Sequence, residues 1–493
     1  MDLSKTFHAL FEPQSIAFIG ASQDIFKWGF TILHNIMRGG FRGQVYPVNP
    51  GGGTWYGRSV YTTLDDIPHP VDLAVIVVAQ EHVLKTIQNC VKKKIPAGIV
   101  VTAGFSETGE AGARLEEEIV REARAGGMRL VGPNSMGLYS GFPSQLQAVM
   151  ASIRLPSGPV GLIVQSGNLG GSLSSRFSRR HIGISRLISS GNEADLNTED
   201  YLELLEMDTG TKVICLYIEG IRQPDRFLRI ARRVSAKKPV LLLKGGQSPS
   251  GALAARSHTG ALAGDDRIFR GICHQAGIVQ VQTMDEMVDA AGMFLTQPEP
   301  QGNRIGIITL GGGWGVLATD LCFRYGLEIP ALNEDMVRRI STVLPSYWSR
   351  GNPVDLVAPS TISSIMDVAR ILLDDHSMDA VLMLGLGYIT LRAHRLLDSE
   401  IIPKRKAEDA SRTLISGEVK LLELIIAHIQ QTGKPIIPVL DIAIHDELMK
   451  NNPVRYLEQH GIMAYSAPDQ AIRALACAVH RTRHIKARGW GDT

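Results

Sequence analysis

A single pattern constrains this chain most: short apolar runs that end in small or polar residues and are followed by helical stretches, repeated from the first 20 residues to the last 40. In the N-terminal third the apolar runs cover 15–19, 44–48, 73–78, 98–102 and 128–131, with helical spacing over 30–37, 81–93 and 111–125 between them. A fully apolar run, without polar alternation, predicts a strand buried on both faces, and strand–helix alternation predicts a parallel, doubly wound α/β sheet. Ligands on such sheets lie at the carboxyl ends of the strands. There the chain places Gly20-Ala21-Ser22, Asn49-Pro50 with Gly51 to Gly53, Ala79, Ala103-Gly104-Phe105 and Gly132-Pro133-Asn134. One such turn is what any parallel sheet requires, whereas five along one edge predict a site for an extended cofactor. The GxGxxG fingerprint of a dinucleotide fold is absent, and Asn49 stands about where a ribose-binding acid would be, which argues against an NAD-dependent oxidoreductase.

Residues 139–159 are rich in Ser, Gly and Pro, show no sustained apolar period, and predict a boundary. A second unit opens at Gly161 with a strand that runs into Gln165-Ser166-Gly167-Asn168-Leu169-Gly170 and then a helix through Arg179. Further strands are predicted at 185–188, 213–218 and 240–243, then a helix over 265–275, and another starting at the capping-box spacing Thr283 to Glu286. Residues 297–303 read as a linker. A third unit repeats the opening of the second: Gly161, Gly167 and Gly170 fall opposite Gly306, Gly312 and Gly315. Each opening presents a glycine-rich helix start, whose free N–H groups and positive dipole end suit an anion. Strands at 380–384, 435–440 and 461–465 and a helix over 469–479 complete the third unit, and 392–416 reads as an irregular, charged surface excursion.

Two side chains invite a chemical reading. His258 lies in the polar, glycine-punctuated stretch 255–264, between a predicted strand and a predicted helix. A neutral imidazole is a competent nucleophile at pH 7 and can carry a covalent group between two half-reactions. Glu219 ends the apolar strand 213–218; the ordinary reading is a solvated strand-end acid, and the functional one is a carboxylate that fixes an imidazole tautomer.

Charge and cysteine usage exclude several classes. With 51 basic against 49 acidic residues the net charge is only +2, which gives no electrostatic case for nucleic acid or an anionic membrane. The five cysteines form no CxxC pair and read as reduced thiols of a cytoplasmic protein. No run approaches the ~18 apolar residues of a membrane span, and the first residues lack the pattern of a secretion signal. No metal-ligand cluster is apparent.

These motifs together resemble the α subunits of nucleoside-diphosphate-forming acyl-CoA synthetases, the ADP-forming acetyl-CoA synthetases related to succinyl-CoA synthetase. The likeness runs from about Phe11 to Cys477. It is carried most specifically by Ser257-His258-Thr259-Gly260-Ala261, which looks like the phosphohistidine motif, and further by Val48-Asn49-Pro50, Thr102 to Glu107, Gly132-Pro133-Asn134, Gln165 to Asn168, Gly191 to Asp195 and Asn352 to Asp355. The resemblance implies a Rossmann-like CoA-binding domain over 1–140, followed by two flavodoxin-like succinyl-CoA-ligase domains over 155–297 and 303–493. It implies conversion of acyl-CoA, phosphate and ADP to acid, CoA and ATP, with His258 phosphorylated and Glu219 orienting it. By the same carry-over Gly20, Ala21, Ser22, Asn49, Pro50, Ala79, Ala103, Gly104, Phe105 and Asn134 serve the CoA site. Ser166, Gly167, Asn168 and Gly170, with Gly312, Gly313 and Gly315, serve the phosphate. Two departures stand out. Succinyl-CoA synthetases carry a lysine where this chain has Gly51 to Gly53, and Lys27 is the candidate replacement. No ATP-grasp region is apparent, so ADP/ATP and Mg2+ are expected on a separate ATP-grasp β subunit, in an α2β2 assembly. A CoA or acyl-CoA sensor without turnover is the alternative reading. No motif names the acyl group, the choice of ADP or GDP, or the direction.

Overall fold

A computed structural model describes residues 3–151, 154–251, 253, 266–356, 361–440 and 453–489. The chain divides into two compact units, Met1–Met287 and Val288–Thr493.

The first unit holds two sheets. Strands β1 (Ser15–Ile19), β2 (Gln44–Val48), β3 (Leu73–Ile76), β4 (Ala97–Val100) and β5 (Arg129–Val131) form a parallel sheet in the order β2-β1-β3-β4-β5. Every residue of β1, β3 and β4 is buried, as the uninterrupted apolar runs predict. Outside β2 a single parallel bridge joins Val48 to Tyr61. Counting that bridge as a vestigial edge strand gives the Rossmann order 3-2-1-4-5-6. The helix Glu110–Ala125 buries Gly112, Glu116, Ile119 and Ala123, spaced 4, 3 and 4 along one stripe.

The second sheet contains β6 (Gly137–Ser140), β7 (Leu146–Val149), β8 (Ser157–Val164), β9 (Ile184–Ser189), β10 (Val213–Ile218), β11 (Val240–Lys244) and β12 (Val279–Val281), in the order β12-β11-β10-β8-β9-β6-β7. Its parallel part has the flavodoxin order, 2-1-3-4-5 read from the β9 side. Where 139–159 predict only a boundary, the strands β6 and β7 form an antiparallel hairpin that extends this sheet from β9. Strands of four residues are too short to establish a period. The two sheets are zipped together where their loops meet: Asn192 N–H donates to Pro133 O at 3.0 Å, Ala194 N–H to Gly132 O at 3.2 Å, and Leu196 N–H to Leu130 O at 3.2 Å. Beneath them the buried Asp195 accepts from Arg124 Nε at 2.6 Å, Arg129 Nε at 2.9 Å and Leu130 N at 2.7 Å.

The second unit is built on β13 (Ile305–Thr309), β14 (Val354–Asp355), β15 (Ala380–Leu384) and β16 (Ile436–Val439), ordered β14-β13-β15-β16 and parallel throughout. The predicted strand at 461–465 is reduced to one bridge, Val439 to Tyr465. The stretch 392–416 is not an irregular excursion: it belongs to the helices Tyr388–Leu397 and Lys404–Thr432. The second of these is 29 residues long, and its buried Glu418 accepts from Gly387 N and Thr390 N, both at 2.7 Å, which closes the start of the first. Its charged opening turns mask an apolar stripe that begins only at Leu421. The expected linker 297–303 is packed into this unit, with Gln297 and Asn303 buried and Glu299 paired to Arg481. The division between the units falls inside the helix Met284–Thr296.

Candidate active site

The sequence places small residues at the strand ends of the first sheet, and the fold turns them into one wall of a cleft. This cleft, of about 810 Å³, is lined by Gly20, Ser22, Lys27, Val77, Thr102, Ala103 and Asn134 on the first sheet's side, and by Gln165, Ser166, Gly167, Asn168 and Gly171 on the second's. Gly20 has φ +101°, and a Cβ there would lie 2.0 Å from Val77 O. The helix Trp28–Arg38 comes close because Gly29 has no side chain; its Cβ would lie 2.2 Å from Gly20 O. Sequence reasoning missed Gly29, although a glycine in the first turn of a helix that follows a β1 glycine loop is the signal for close helix–strand approach. Asn134 holds a left-handed φ of +57° and bonds through its backbone to Thr102 O at 2.9 Å.

Other expected CoA residues lie behind the cleft wall. Asn49 donates to Ala21 O at 2.9 Å and bridges the ends of β1 and β2, while Ala21 is buried. Ala79 is the N-cap of the helix Gln80–Lys92, and Gly104 packs against Gln80. Phe105 is fully buried in the core of the first sheet. None of these, nor Pro50, is among the residues lining the cleft.

The helix Gly167–Arg179 begins at the cleft with no side-chain cap on Ser166, so its first N–H groups point to whatever occupies the space. Gly170 is buried one turn in and does not line the cleft; a Cβ there would press to 2.7 Å from Val164. The second unit repeats the arrangement. Gly312 starts a helix of the same 13-residue length, Gly312–Arg324, again without a side-chain cap. Gly315 is buried against Pro353 and Thr309, while Gly313 has open space around its Cβ position. The internal repeat therefore places one glycine at each helix start and another at the contact between helix and strand. Asn352, in the matching motif, accepts from Ile307 N and donates to Ile305 O, both at 3.0 Å, and so fixes the strand that feeds this helix.

Glu219 follows β10 and is only 7% exposed, so it is not a solvated strand-end acid. Its N–H donates to Gln165 Oε1 at 2.6 Å, its carboxylate accepts from Tyr217 OH at 3.2 Å, and its carbonyl accepts from Lys244 Nζ at 2.7 Å. A Cβ on Gly245, just past β11, would lie 3.2 Å from Glu219 Cγ, so the side chain faces the chain as it leaves β11. His258 lies further along that segment and outside the described residues.

Lys244 and Gln165 were not expected at the site. Lys244 is buried, bonds also to Gly245 O and sits 5.4 Å from the Phe269 ring; burial holds its ammonium below the ordinary lysine range. Burial, with the Glu219 carboxylate added, pushes the Tyr217 phenol up. A lysine closing the apolar run 240–243 was the available signal. Gln165 lines the first cleft and also a second, of about 1000 Å³, that is walled by the helix Glu110–Ala125 and the loops after β9 and β10.

Beside this second cleft Asn192 Nδ2 lies 2.6 Å from Glu107 Oε2 and 2.8 Å from Glu116 Oε2, and Glu116 also accepts from Ser106 Oγ at 2.7 Å. Burial would raise the Glu107 carboxyl, but hydrogen bonds from Asn192 and Gly104 N–H outweigh it and hold it below the usual range. Glu116 announces itself in the sequence as a carboxylate on the buried stripe of its helix. Glu193 is fully enclosed, with φ +54°, and burial raises its carboxyl. Among the described residues no cluster of His, Cys, Asp and Glu is placed to hold a metal, and no helix is long and apolar enough to cross a membrane.

A Rossmann-like sheet with a ligand cleft at its carboxyl edge is zipped to a flavodoxin-like sheet whose first helix opens on the same cleft, the arrangement that the resemblance to CoA-dependent ligases implies. Comparison with known proteins agrees. Residues 14–140 match the CoA binding domain family, 157–294 the succinyl-CoA ligase like flavodoxin domain and 305–488 the Ligase-CoA domain. The chain is 34% identical over 98% of its length to the α subunit of acetate–CoA ligase [ADP-forming] I of Pyrococcus furiosus, covering 99% of that protein. It is 38% identical over 71% of its length to the acetate–CoA ligase [ADP-forming] of Methanocaldococcus jannaschii, of which it spans 49%. The solved dinucleotide-forming acetyl-coenzyme A synthetase 1 of Ca. Korarchaeum cryptofilum, in complex with phosphate and ADP, superposes with a TM-score of 0.84 at 31% identity, covering 98% of both chains. The chain belongs to the ADP-forming acyl-CoA ligases and corresponds to their α subunit.

Proposed function

We propose that this α subunit carries out the thioester half of a reversible reaction, acyl-CoA + phosphate + ADP to carboxylic acid + CoA + ATP, through a phosphohistidine at His258. Phosphate oxygen attacks the thioester carbonyl, the C–S bond breaks, and CoA leaves as the thiol once protonated. The product is an acyl phosphate. An imidazole nitrogen of His258 then attacks phosphorus, the bond from phosphorus to the acyl oxygen breaks, and the carboxylate departs. The phosphoryl group passes to ADP on a separate ATP-grasp β subunit, with Mg2+ accompanying the nucleotide there, and the assembly is α2β2. Two phosphoryl steps replace one harder transfer. The uncapped helix start at Gly167 supplies N–H donors to the phosphate in the cleft, and the start at Gly312 in the second unit, open at Gly313, offers the same kind of donors to a phosphate.

The observation that carries this reading is Glu219. It is a buried carboxylate, held at its backbone by Gln165 and Lys244, and it faces the chain that leaves β11 toward His258. A carboxylate there fixes the imidazole and stabilises its cation once phosphorylated. The partner is supported by the two Pyrococcus furiosus relatives, which match over nearly their whole length and are themselves named as α subunits.

The test uses the purified chain with radiolabelled phosphate and a thioester panel. Curated relatives of the same family are named for acetate, 4-hydroxybutyrate and trans-ferulate, so acetyl-, 4-hydroxybutyryl- and feruloyl-CoA make up the panel. Acid-labile, base-stable label is expected on the wild type and not on His258→Ala, and the thioester that gives most label names the acyl class. If no label forms even after an ATP-grasp subunit is added, while CoA still binds, the chain is a sensor and the catalytic reading fails.

A further inference from the structure

The CoA cleft has a wall that the reaction chemistry leaves unused. Phe26 and Trp28 line it, yet they are 91% and 54% exposed. They flank Lys27, which among the described residues is the only charged side chain lining the cleft. This segment is held in place despite its apolar surface. Asp24 N–H donates to Ser22 Oγ at 3.1 Å, Phe26 N–H to Asp24 Oδ1 at 3.0 Å and Lys27 N–H to Asp24 O at 3.1 Å. Trp55 Nε1 donates to Ser22 O at 2.9 Å and ties the base of the loop to the short antiparallel pair Thr54–Trp55 and Arg58–Ser59. Two aromatic rings held at the rim of a ligand cleft, with a cation between them and a helix start behind, suit a planar base that bears a phosphate. Residues 51–53 of the loop after β2 are all glycine, Gly52 and Gly53 at positive φ, and offer no cation.

On the reading that this cleft takes CoA, we propose that Phe26 and Trp28 clamp its adenine ring and that Lys27 pairs with its 3′-phosphate. The segment then sets specificity for the 3′-phosphorylated nucleotide over dephospho-CoA and ADP. It also leaves the opposite wall, at Gly167 and Asn168, to the thioester end.

Calorimetric titration of the full chain with CoA, 3′-dephospho-CoA and ADP tests this. The wild type should bind CoA on the order of tenfold more tightly than dephospho-CoA, and Lys27→Ala should abolish that preference without changing dephospho-CoA binding. Phe26→Ala and Trp28→Ala should each weaken both ligands by on the order of tenfold, Trp28→Phe should restore most of the loss, and ADP affinity should be low in every variant. All three side chains are exposed, so melting temperatures should match the wild type. The proposal is overturned if Lys27→Ala weakens CoA and dephospho-CoA alike, if the aromatic variants bind CoA normally, or if they selectively lose ADP. A wild type that does not bind CoA at all overturns instead the reading of the cleft on which the proposal rests.

Discussion

The side-chain carbonyl of Gln165, just past β8, accepts the N–H of Glu219 at 2.6 Å and that of Gly220 at 3.2 Å, so one carboxamide sets the peptide at the end of β10. Its Nε2 donates to Gly220 O at 3.0 Å, which makes the attachment two-sided. Substituting Gln165→Leu leaves these buried N–H groups without their acceptor, a loss of roughly 1–3 kcal/mol. If that loss falls on the transition state, histidine phosphorylation slows by about 5- to 150-fold. Rapid-quench measurement of phosphoenzyme formation should show the fall, and the part of the loss borne by the resting fold should appear as a lower melting temperature. An unchanged rate would mean that Glu219 is positioned without Gln165.

Asp195 should matter to stability far more than its place in a loop suggests. It is buried and takes two arginines and a backbone N–H across the seam between the two sheets. Asp195→Ala strands Arg129, whose side chain is 20% exposed, and breaking such a buried pair costs about 3–5 kcal/mol. Arg124→Ala removes a partner that is 55% exposed and should cost less than about 1 kcal/mol. Calorimetric melting of the two variants should show that gap; equal, small effects would show that the backbone hydrogen bonds alone hold the seam.

Acidification should stabilise the first unit. Glu199, in the first turn of the helix Thr198–Met207, is buried with no hydrogen-bond partner on Oε1 among the described residues, and burial raises its carboxyl to about 7. The folded state therefore binds more protons than the unfolded state between about pH 4.5 and 7, and stability falls as pH rises through that window. The buried Glu193 shifts in the same direction. Glu199→Gln should remove up to about 3 kcal/mol of that pH dependence. Urea unfolding at pH 5 and pH 8 checks the slope, and a wild type that is no more stable at pH 5 than at pH 8 would contradict it.

The sheets were legible because parallel strands are buried on both faces, and β1, β3, β13 and the buried second half of β8 read as apolar runs. Glu219 was legible for a related reason, a carboxylate ending such a run. The hairpin β6–β7 was hidden by its shortness, and the helix Lys404–Thr432 by charged opening turns on an otherwise apolar stripe. The role of Gly191 to Asp195 was also not readable. Their partners, Pro133, Glu107, Glu116, Arg124 and Arg129, lie 59 to 85 residues away, and only the closure of two sheets brings them together.

Two glycine substitutions separate packing from ligand contact. At Gly29 a methyl group would meet the carbonyl of Gly20 at 2.2 Å, and backbone cannot yield as a flexible side chain does, so the helix Trp28–Arg38 has to shift away from β1. Overpacking of this kind costs about 1–3 kcal/mol, and the shift also moves Lys27 and Trp28, both on the cleft wall. Gly29→Ala is therefore expected to lower the melting temperature and weaken CoA binding together. At Gly313 nothing lies within 4 Å of the Cβ position, and Ala is the better helix former by about 1 kcal/mol. Gly313→Ala should leave melting unchanged or slightly raised. Any loss of phosphoenzyme formation in that variant then reports a methyl group placed where phosphate approaches the helix start. Full activity in Gly313→Ala would remove Gly313 from the phosphate site.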